Sequence, residues 1–455
     1  MKRFCLFIVF IFIVQGPLTS FFYTKTIDTI QLTLEECIQT ALKENHRIKA
    51  IDHKLEAKQA EYKKAKAGMW PDLKLTNTTG AVPEARGDAV FSPDSDNDYG
   101  NLGAFNKLKL EFSQPIYAFG KFKSLYKAAQ SNLAVTLAEK NSTQDEIIYI
   151  IKELYYSILL NRQIIKSLSE IRDNFKQGLE KAEQKLKANN TNVKQSDILK
   201  LKIGLAKIEM NYFKSKQGQD LAFESLKSML NIAPNIPFDL ADQNLKPEKC
   251  KINPLPFYID TLFENNSDWK KLQAGLIAKE ALQDASKKEY YPVFFIGGQF
   301  TYAVAPNRND QTNPFVVDDF NVLQGGAALG LHWDLNFASH SAKIKIAEAE
   351  YEETLELEKA ALEGMPLEVE KLYNQVLEKK EAMKFSSQSR KAGRSLLILA
   401  NTNFELGLGD GKDLFESLAT YTSTSSDYFL SVYEYNLALS KLSQKIGKEI
   451  TQLKY

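Results

Sequence analysis

Four histidines, three cysteines and a scatter of carboxylates are the side chains of this 455-residue chain with the most chemistry to offer, and their spacing builds little from them. His46, His53, His332 and His340 form no HExxH pair, and no cysteine cluster stands nearby to complete a zinc site. Gly411 and Lys412 resemble the end of a phosphate loop, but the position five before Gly411 is Leu406 and Asp413, not Ser or Thr, follows the lysine. Asp94, Asp96 and Asp98 open like a calcium loop, yet its sixth place is Tyr99 where a sharp turn needs Gly, and its twelfth is Phe105 where a bidentate Glu belongs. No nucleophile, metal or cofactor constellation emerges, so no catalytic residue and no cofactor is assigned and the chain does not read as an enzyme.

Bulk charge assigns no partner either. The 58 basic and 57 acidic residues leave a formal charge of +1, which gives no net field toward nucleic acid. Lys2 and Arg3 precede an apolar run from Phe4 to Val14, then Gly16 and Pro17, which is the order of a secretory signal over residues 1–20 with cleavage near Ser20. Cys5 stands at the very start of the apolar run, where a lipobox cysteine cannot stand, so no lipidated terminus is expected. Only Cys37 and Cys250 remain afterwards, and the sequence leaves open whether they pair. No later stretch of eighteen apolar residues occurs, so entry into a membrane would require a closed β-barrel.

The elements that must carry such a barrel come in two similar sets. At one constant offset, Ile38, Thr40, Asn45, Lys49, Leu55 and Ala57 meet Ile259, Thr261, Asn266, Lys270, Leu276 and Ala278. This divides the chain into a first repeat over 30–233, a proline-rich connector over 234–256 and a second repeat over 257–450. Each repeat orders a helix, a strand, a polar loop, a strand, a very long helix, a tight turn and a further helix. Thr33 and Glu36 form a capping box for a helix expected from Leu34 to Lys66. Leu73, Leu75 and Asn77 alternate with polar residues, as do Leu108, Leu110 and Phe112, around a loop expected over Ala81 to Asn106. The second repeat shows the same device in Val293 to Ala305 and Val322 to Asn336, flanking a loop around Pro306 to Asp319. There Leu329, Leu331, Trp333 and Leu335 are expected on one side, with Ala328, Gly330, His332 and Asp334 on the other. Trp70, Trp333, Tyr290 and Tyr291 suit a lipid interface.

Coiled-coil seams follow each pair of strands. Ile147, Ile151, Leu154, Ile158, Ile165, Leu168, Phe175, Leu179, Ala182 and Leu186 recur every three or four residues, interrupted at Asn161 and Arg172. Ile198, Leu201, Leu205, Ile208 and Tyr212 continue the pattern after the first turn, and Leu414 to Ile446 carries it after the second. A helix from Lys121 to about Ala188 would be on the order of 100 Å long. Its counterpart, from about Ala342 to Phe404, contains Gly364 and Pro366, where a kink or break is expected. Four strands reach across a membrane but close no barrel alone, so two, three or four copies must share one.

Several segments resemble a known family. Leu32 to Ala60, then Trp70, Pro71 and Asp72, look like the opening of TolC-like outer membrane efflux proteins. Gln114 to Lys121, reading QPIYAFGK, resembles their passage from second strand to long helix. Leu406 to Tyr421, reading LGLGDGKDLFESLATY, resembles their periplasmic helix–turn–helix tip. The resemblance implies a mixed α and β membrane protein: a homotrimer whose four strands per chain form a shared twelve-stranded barrel, continued by an α-helical periplasmic tunnel. It implies the exit channel of tripartite efflux or type I secretion, set among outer-membrane lipids and partnered by a periplasmic adaptor and an inner-membrane pump. The competing reading is a periplasmic coiled-coil scaffold or adaptor with no barrel; it lacks a use for four amphipathic strands.

The resemblance also nominates site residues. Asp413 and Glu416 match positions of acidic rings at the periplasmic mouth, with Asp197 and Ser196 at the first tip; helix capping is the simpler role for Asp413. Phe404 and Gly409 match the family's tyrosine and arginine that tie the tips together, and neither can donate such a bond. Any lock here must be absent or made of other residues. Asn189 to Asn192 stand where the family has a glycine turn. Leu406, Gly407, Leu408 and Gly409 match the adaptor docking stretch.

Overall fold

The structure, a computed structural model, describes residues 30–86, 96–188, 194–233, 235–310, 315 and 318–452. The expected signal segment, Asp94 and the turn at Asn189 to Asn192 lie outside the described residues. A short strand β1 (Ile30–Leu32) leads into α1 (Leu34–Glu44) and α2 (His46–Ala67). The single helix expected there is two, because Asn45 is extended at φ −65° and ψ 130° and caps the second through a 2.9 Å bond from the Arg47 amide. The Thr33–Glu36 capping box is present as expected.

Strands β2 (Asp72–Arg86) and β3 (Asp96–Tyr117) form an antiparallel hairpin. Much of the loop expected over Ala81 to Asn106 is therefore strand, since ladder bonds between Ala81–Arg86 and the stretch from Asp96 override the turn-forming composition. The 67-residue α3 (Lys121–Lys187) and 35-residue α4 (Gln195–Met229) follow. After β4 (Phe238–Leu240) come α5 (Leu255–Asn265), α6 (Ser267–Lys288), β5 (Val293–Val304) and β6 (Val322–His332). The chain ends in the 69-residue α7 (Phe337–Glu405), α8 (Gly411–Ile446) and a 3-10 turn at Ile450–Gln452. α7 runs through Pro366 without a break, contrary to the interruption that Gly364 and Pro366 suggested. Packing against α6, α8 and α5 holds it across the missing hydrogen bond.

The main sheet has order β2-β3-β5-β6, all neighbours antiparallel. Its register aligns one apolar face: Leu73 opposite Phe112, Phe112 opposite Gly298, and Ile296 opposite Leu329. Leu73, Leu75, Ile296, Phe300, Leu329 and Leu331 are exposed on this face. The other face is polar at the first hairpin, where Lys74 meets Glu111 and Thr76 meets Lys109, and small at the second, where Gly326 and Ala328 meet Gln299 and Gly297. β2 and β6 form the two edges of the sheet, with no further strand beside them among the described residues; the end of β2 carries a single bridge from Ala85 to Arg308. Trp70, Tyr117, Tyr291 and Trp333 are exposed where the strands pass into helices.

The long helices bury the seams read from the sequence. Ile147, Ile151, Ile158, Leu168, Phe175, Ala182, Leu201, Leu414, Val432 and Leu442 are buried, each aliphatic side chain contributing on the order of 1.5–3 kcal/mol. The two seam interruptions are accommodated locally: Asn161 returns a 2.9 Å bond to the Ser157 carbonyl, and the Arg172 guanidinium lies 5.3 Å from the Tyr212 ring centroid. The connector is more than an extended link. β4 pairs in parallel with β1, Tyr155 donates to Asp242 at 2.6 Å, Tyr156 donates to Glu248 at 2.8 Å, and Arg162 bonds Asp239. Cys37 is buried against Ile147 and Tyr155, whereas Cys250 packs with Tyr435; both are free thiols.

Candidate functional site

At the end of the bundle farthest from the sheet, α7 turns into α8 over Leu406 to Asp410. Gly407 takes φ +76°, and the amides of Leu408 and Gly409 both donate to the Asn403 carbonyl, at 2.9 and 3.0 Å. Asp410, not Asp413, is the N-cap of α8, accepting from the Asp413 amide at 2.8 Å. Capping therefore leaves the Asp413 carboxylate unused. Asp413 and Glu416 are exposed one turn apart beside a cleft of about 290 Å³, whose apolar wall includes Leu396 and Leu399. Lys412 approaches Glu416 at 3.8 Å. Leu406 and Leu408 are 68% and 79% exposed, an unusual state for leucine in a turn and one that leaves them available to a partner.

Asp197 sits differently. It is buried, accepts a 3.0 Å bond from the Lys194 amide within a capping box, and abuts Gly411. A Cβ at Gly411 would lie 3.1 Å from the Asp197 Cβ, so the starts of α4 and α8 meet through this glycine. Within the chain Asp197 thus fixes the tip and points away from solvent, while Ser196 is exposed beside it.

Phe404 and Gly409 also part company. Phe404 is 1% exposed, packed with Phe175, Leu201 and Leu414. The Lys185 ammonium lies 4.0 Å from its ring centroid and donates to its carbonyl. One turn earlier on α3, Lys181 pairs with Glu405 at 2.6 Å. The Lys181 hydrogen bond holds the Glu405 carboxyl below its ordinary value. Two lysines of the first long helix therefore tie down the end of the second, in contacts the sequence reading did not name. Their i,i+4 spacing near a helix C-terminus was the available signal. Gly409 takes no part in this tie; a Cβ there would meet Asn403 at 3.2 Å.

The histidines remain scattered. His340 is buried beneath Tyr290, with Nε2 at 3.1 Å from the Asp334 carbonyl, and among the described residues no group of three His, Cys, Asp or Glu side chains could hold a metal. Among them also, no helix is long and apolar enough to cross a membrane.

Residues 37–231 match the family model of outer membrane efflux proteins. That match covers the first repeat and leaves the second unmatched, so it marks a likeness to the family over those residues. Its solved relatives share the fold at low identity. The outer-membrane channel OprN aligns with a TM-score of 0.76 at 13% identity, covering 92% of this chain and 90% of its own. The CmeC outer membrane channel of Campylobacter jejuni gives 0.75 at 13%, covering 93% and 87%. The outer membrane protein VceC of Vibrio cholerae gives 0.73 at 16%, covering 92% and 96%. No curated protein matches the sequence. OprN and CmeC are channels of the outer membrane, and at this identity the likeness shows that the chain shares their fold.

Proposed function

We propose that this chain is a passive exit duct that works as a homotrimer, with three four-stranded sheets sharing a twelve-stranded barrel above a tunnel of α3, α4, α7 and α8. The observation that carries this reading is the sheet: apolar on one face, polar or small on the other, with β2 and β6 as edge strands that pair with no further strand among the described residues. Open edges cannot stay unsatisfied in lipid, and four strands are too few to close on themselves. The helices point the same way, since α4 leaves Leu199, Ile203, Met210, Phe213 and Leu221 exposed. A second copy would cover such a stripe.

The two-repeat reading, 30–233 and 257–450 about the connector 234–256, is supported by α1 and α5, α2 and α6, and β2 and β5 starting at the offset that pairs Ile38 with Ile259. Asn45 and Asn266 each cap the second helix of a set and each donate to a carbonyl of a later helix, Met229 and Lys445.

Asp413 and Glu416, repeated three times, would focus a negative potential at the periplasmic mouth, with Ser196 beside them. Leu406, Gly407, Leu408 and Gly409 would receive a periplasmic adaptor that links the duct to an inner-membrane pump. A barrel-free scaffold or adaptor is not favoured, because it leaves the exposed apolar face of the sheet without a function. Mass measurement in mild detergent, followed by planar-bilayer recording, tests the proposal. We expect three chains per particle and stable single-channel conductance; a monomer that conducts would sink it.

A further inference from the structure

The near-zero charge of the chain conceals a local excess. Where α2, α3, α6 and α7 meet the sheet, Lys63, Lys64, Lys66, Lys123 and Lys345 are all exposed and carry no ion pair among the described residues. The carboxylates on the same helix ends are already engaged: Glu61 with Lys58, Glu280 with Lys127, Asp284 with Lys288, Glu289 with Lys121 and Lys343, and Glu348 with Lys287. Five ammonium groups are therefore left over in one band, against one exposed carboxylate without an ion pair among the described residues, Asp72 beside Trp70. Lys64 and Lys66 suit the last turn of α2, but Lys123 lies in the first turn of α3, where the backbone dipole disfavours a cation.

The band has a fixed relation to the sheet. Lys66 stands four residues before Trp70, and Lys123 six after Tyr117; both aromatic rings are exposed at the foot of the strands. Rings of this kind occupy the boundary between hydrocarbon and headgroups, and lysines just beyond it extend toward the headgroup layer. Charges within roughly one Debye length, about 8 Å, of an anionic surface are attracted to it.

We propose that these five lysines form a collar that binds anionic phospholipid headgroups of the periplasmic leaflet, selecting them over zwitterionic ones. The proposal rests on the sheet being the membrane-spanning part. Purified protein in mild detergent is given equimolar phosphatidylglycerol and phosphatidylethanolamine, and retained lipids are weighed by native mass spectrometry. Wild type should retain phosphatidylglycerol with about fivefold preference. Replacing the five lysines by Gln should bring the ratio to about one, and replacing them by Arg should preserve it. The pairs K63Q/K66Q and K123Q/K345Q should each lower the ratio partway, so a misassembled fivefold variant does not decide the matter. A wild type without preference, or Gln variants that keep it, would overturn the collar. Lysine-dependent sedimentation with peptidoglycan sacculi, without lipid preference, would assign the lysines to the cell wall and overturn it too. Flotation with vesicles of phosphatidylethanolamine alone reports membrane insertion separately; failure there removes the spanning sheet itself.

Discussion

At the level of single residues, the tip separates three roles that one motif had merged. Asp410 caps, Asp197 packs, and Asp413 with Glu416, the latter loosely met by Lys412, are exposed where they can act on ions. Changing both exposed carboxylates to Ala should weaken cation preference and block by trivalent cations in planar bilayers, while leaving the oligomer intact, because exposed side chains contribute little packing. Unchanged selectivity would move the filter elsewhere in the tunnel. The Lys181–Glu405 tie makes a separate prediction with a definite sign. The folded carboxyl is held below its ordinary value, so the tie's contribution is complete above the unfolded value and is lost as pH falls through the lower, folded one. Resting conductance should stay flat from neutral pH down through the usual carboxylate range and rise only below it. Glu405→Gln should raise conductance already at neutral pH and abolish the acid step; a mutant indistinguishable from wild type would mean that this contact does not restrain the mouth.

Among the elements, those with strong periodicity were legible before any coordinates. The seam from Ile147 to Ala182 and the limits of α3 follow from apolar spacing, because burial is the term that places those side chains. Elements set by partners distant in sequence were not. β1 and β4 are three residues each, and nothing local to Ile30 says that Phe238 will lie beside it. The Asn45 break was equally hidden, since Asn is tolerated within helices and only its bond to the Met229 carbonyl shows why the chain turns there. At the site, Asp413 and Glu416 were nominated by resemblance and found exposed, whereas the Lys181 and Lys185 contacts depend on how α3 packs against α7. Gly447 ends α8 at φ +69°, and a Cβ there would lie 2.7 Å from the Asn265 carbonyl oxygen. Gly447→Ala should therefore cost about 1–3 kcal/mol, read as a lowered thermal midpoint. A neutral result would show that the α5–α6 corner yields easily.

For the molecule as a whole, the two hairpins are unequal, and that has a consequence for what meets the environment. β3 pairs with β5 only as far as Asn106 opposite Val304, yet the ladder between β2 and β3 continues to Arg86 and Asp96. The first hairpin thus outruns the second by several residue pairs, on the order of 3.3 Å each. On the proposed reading, with the helices in the periplasm, this projection would face the outside world, carrying Tyr99 and Leu102 at 77% and 60% exposure. An immune system, or a virus of bacteria, would meet this hairpin together with the stretch after β5, where Arg308 bridges to Ala85. An epitope tag inserted after Asp88 should therefore be stained by antibody on intact cells, while the same tag after Gly407 should be stained only once the envelope is broken. Equal staining at both places would reverse the orientation assigned to the chain.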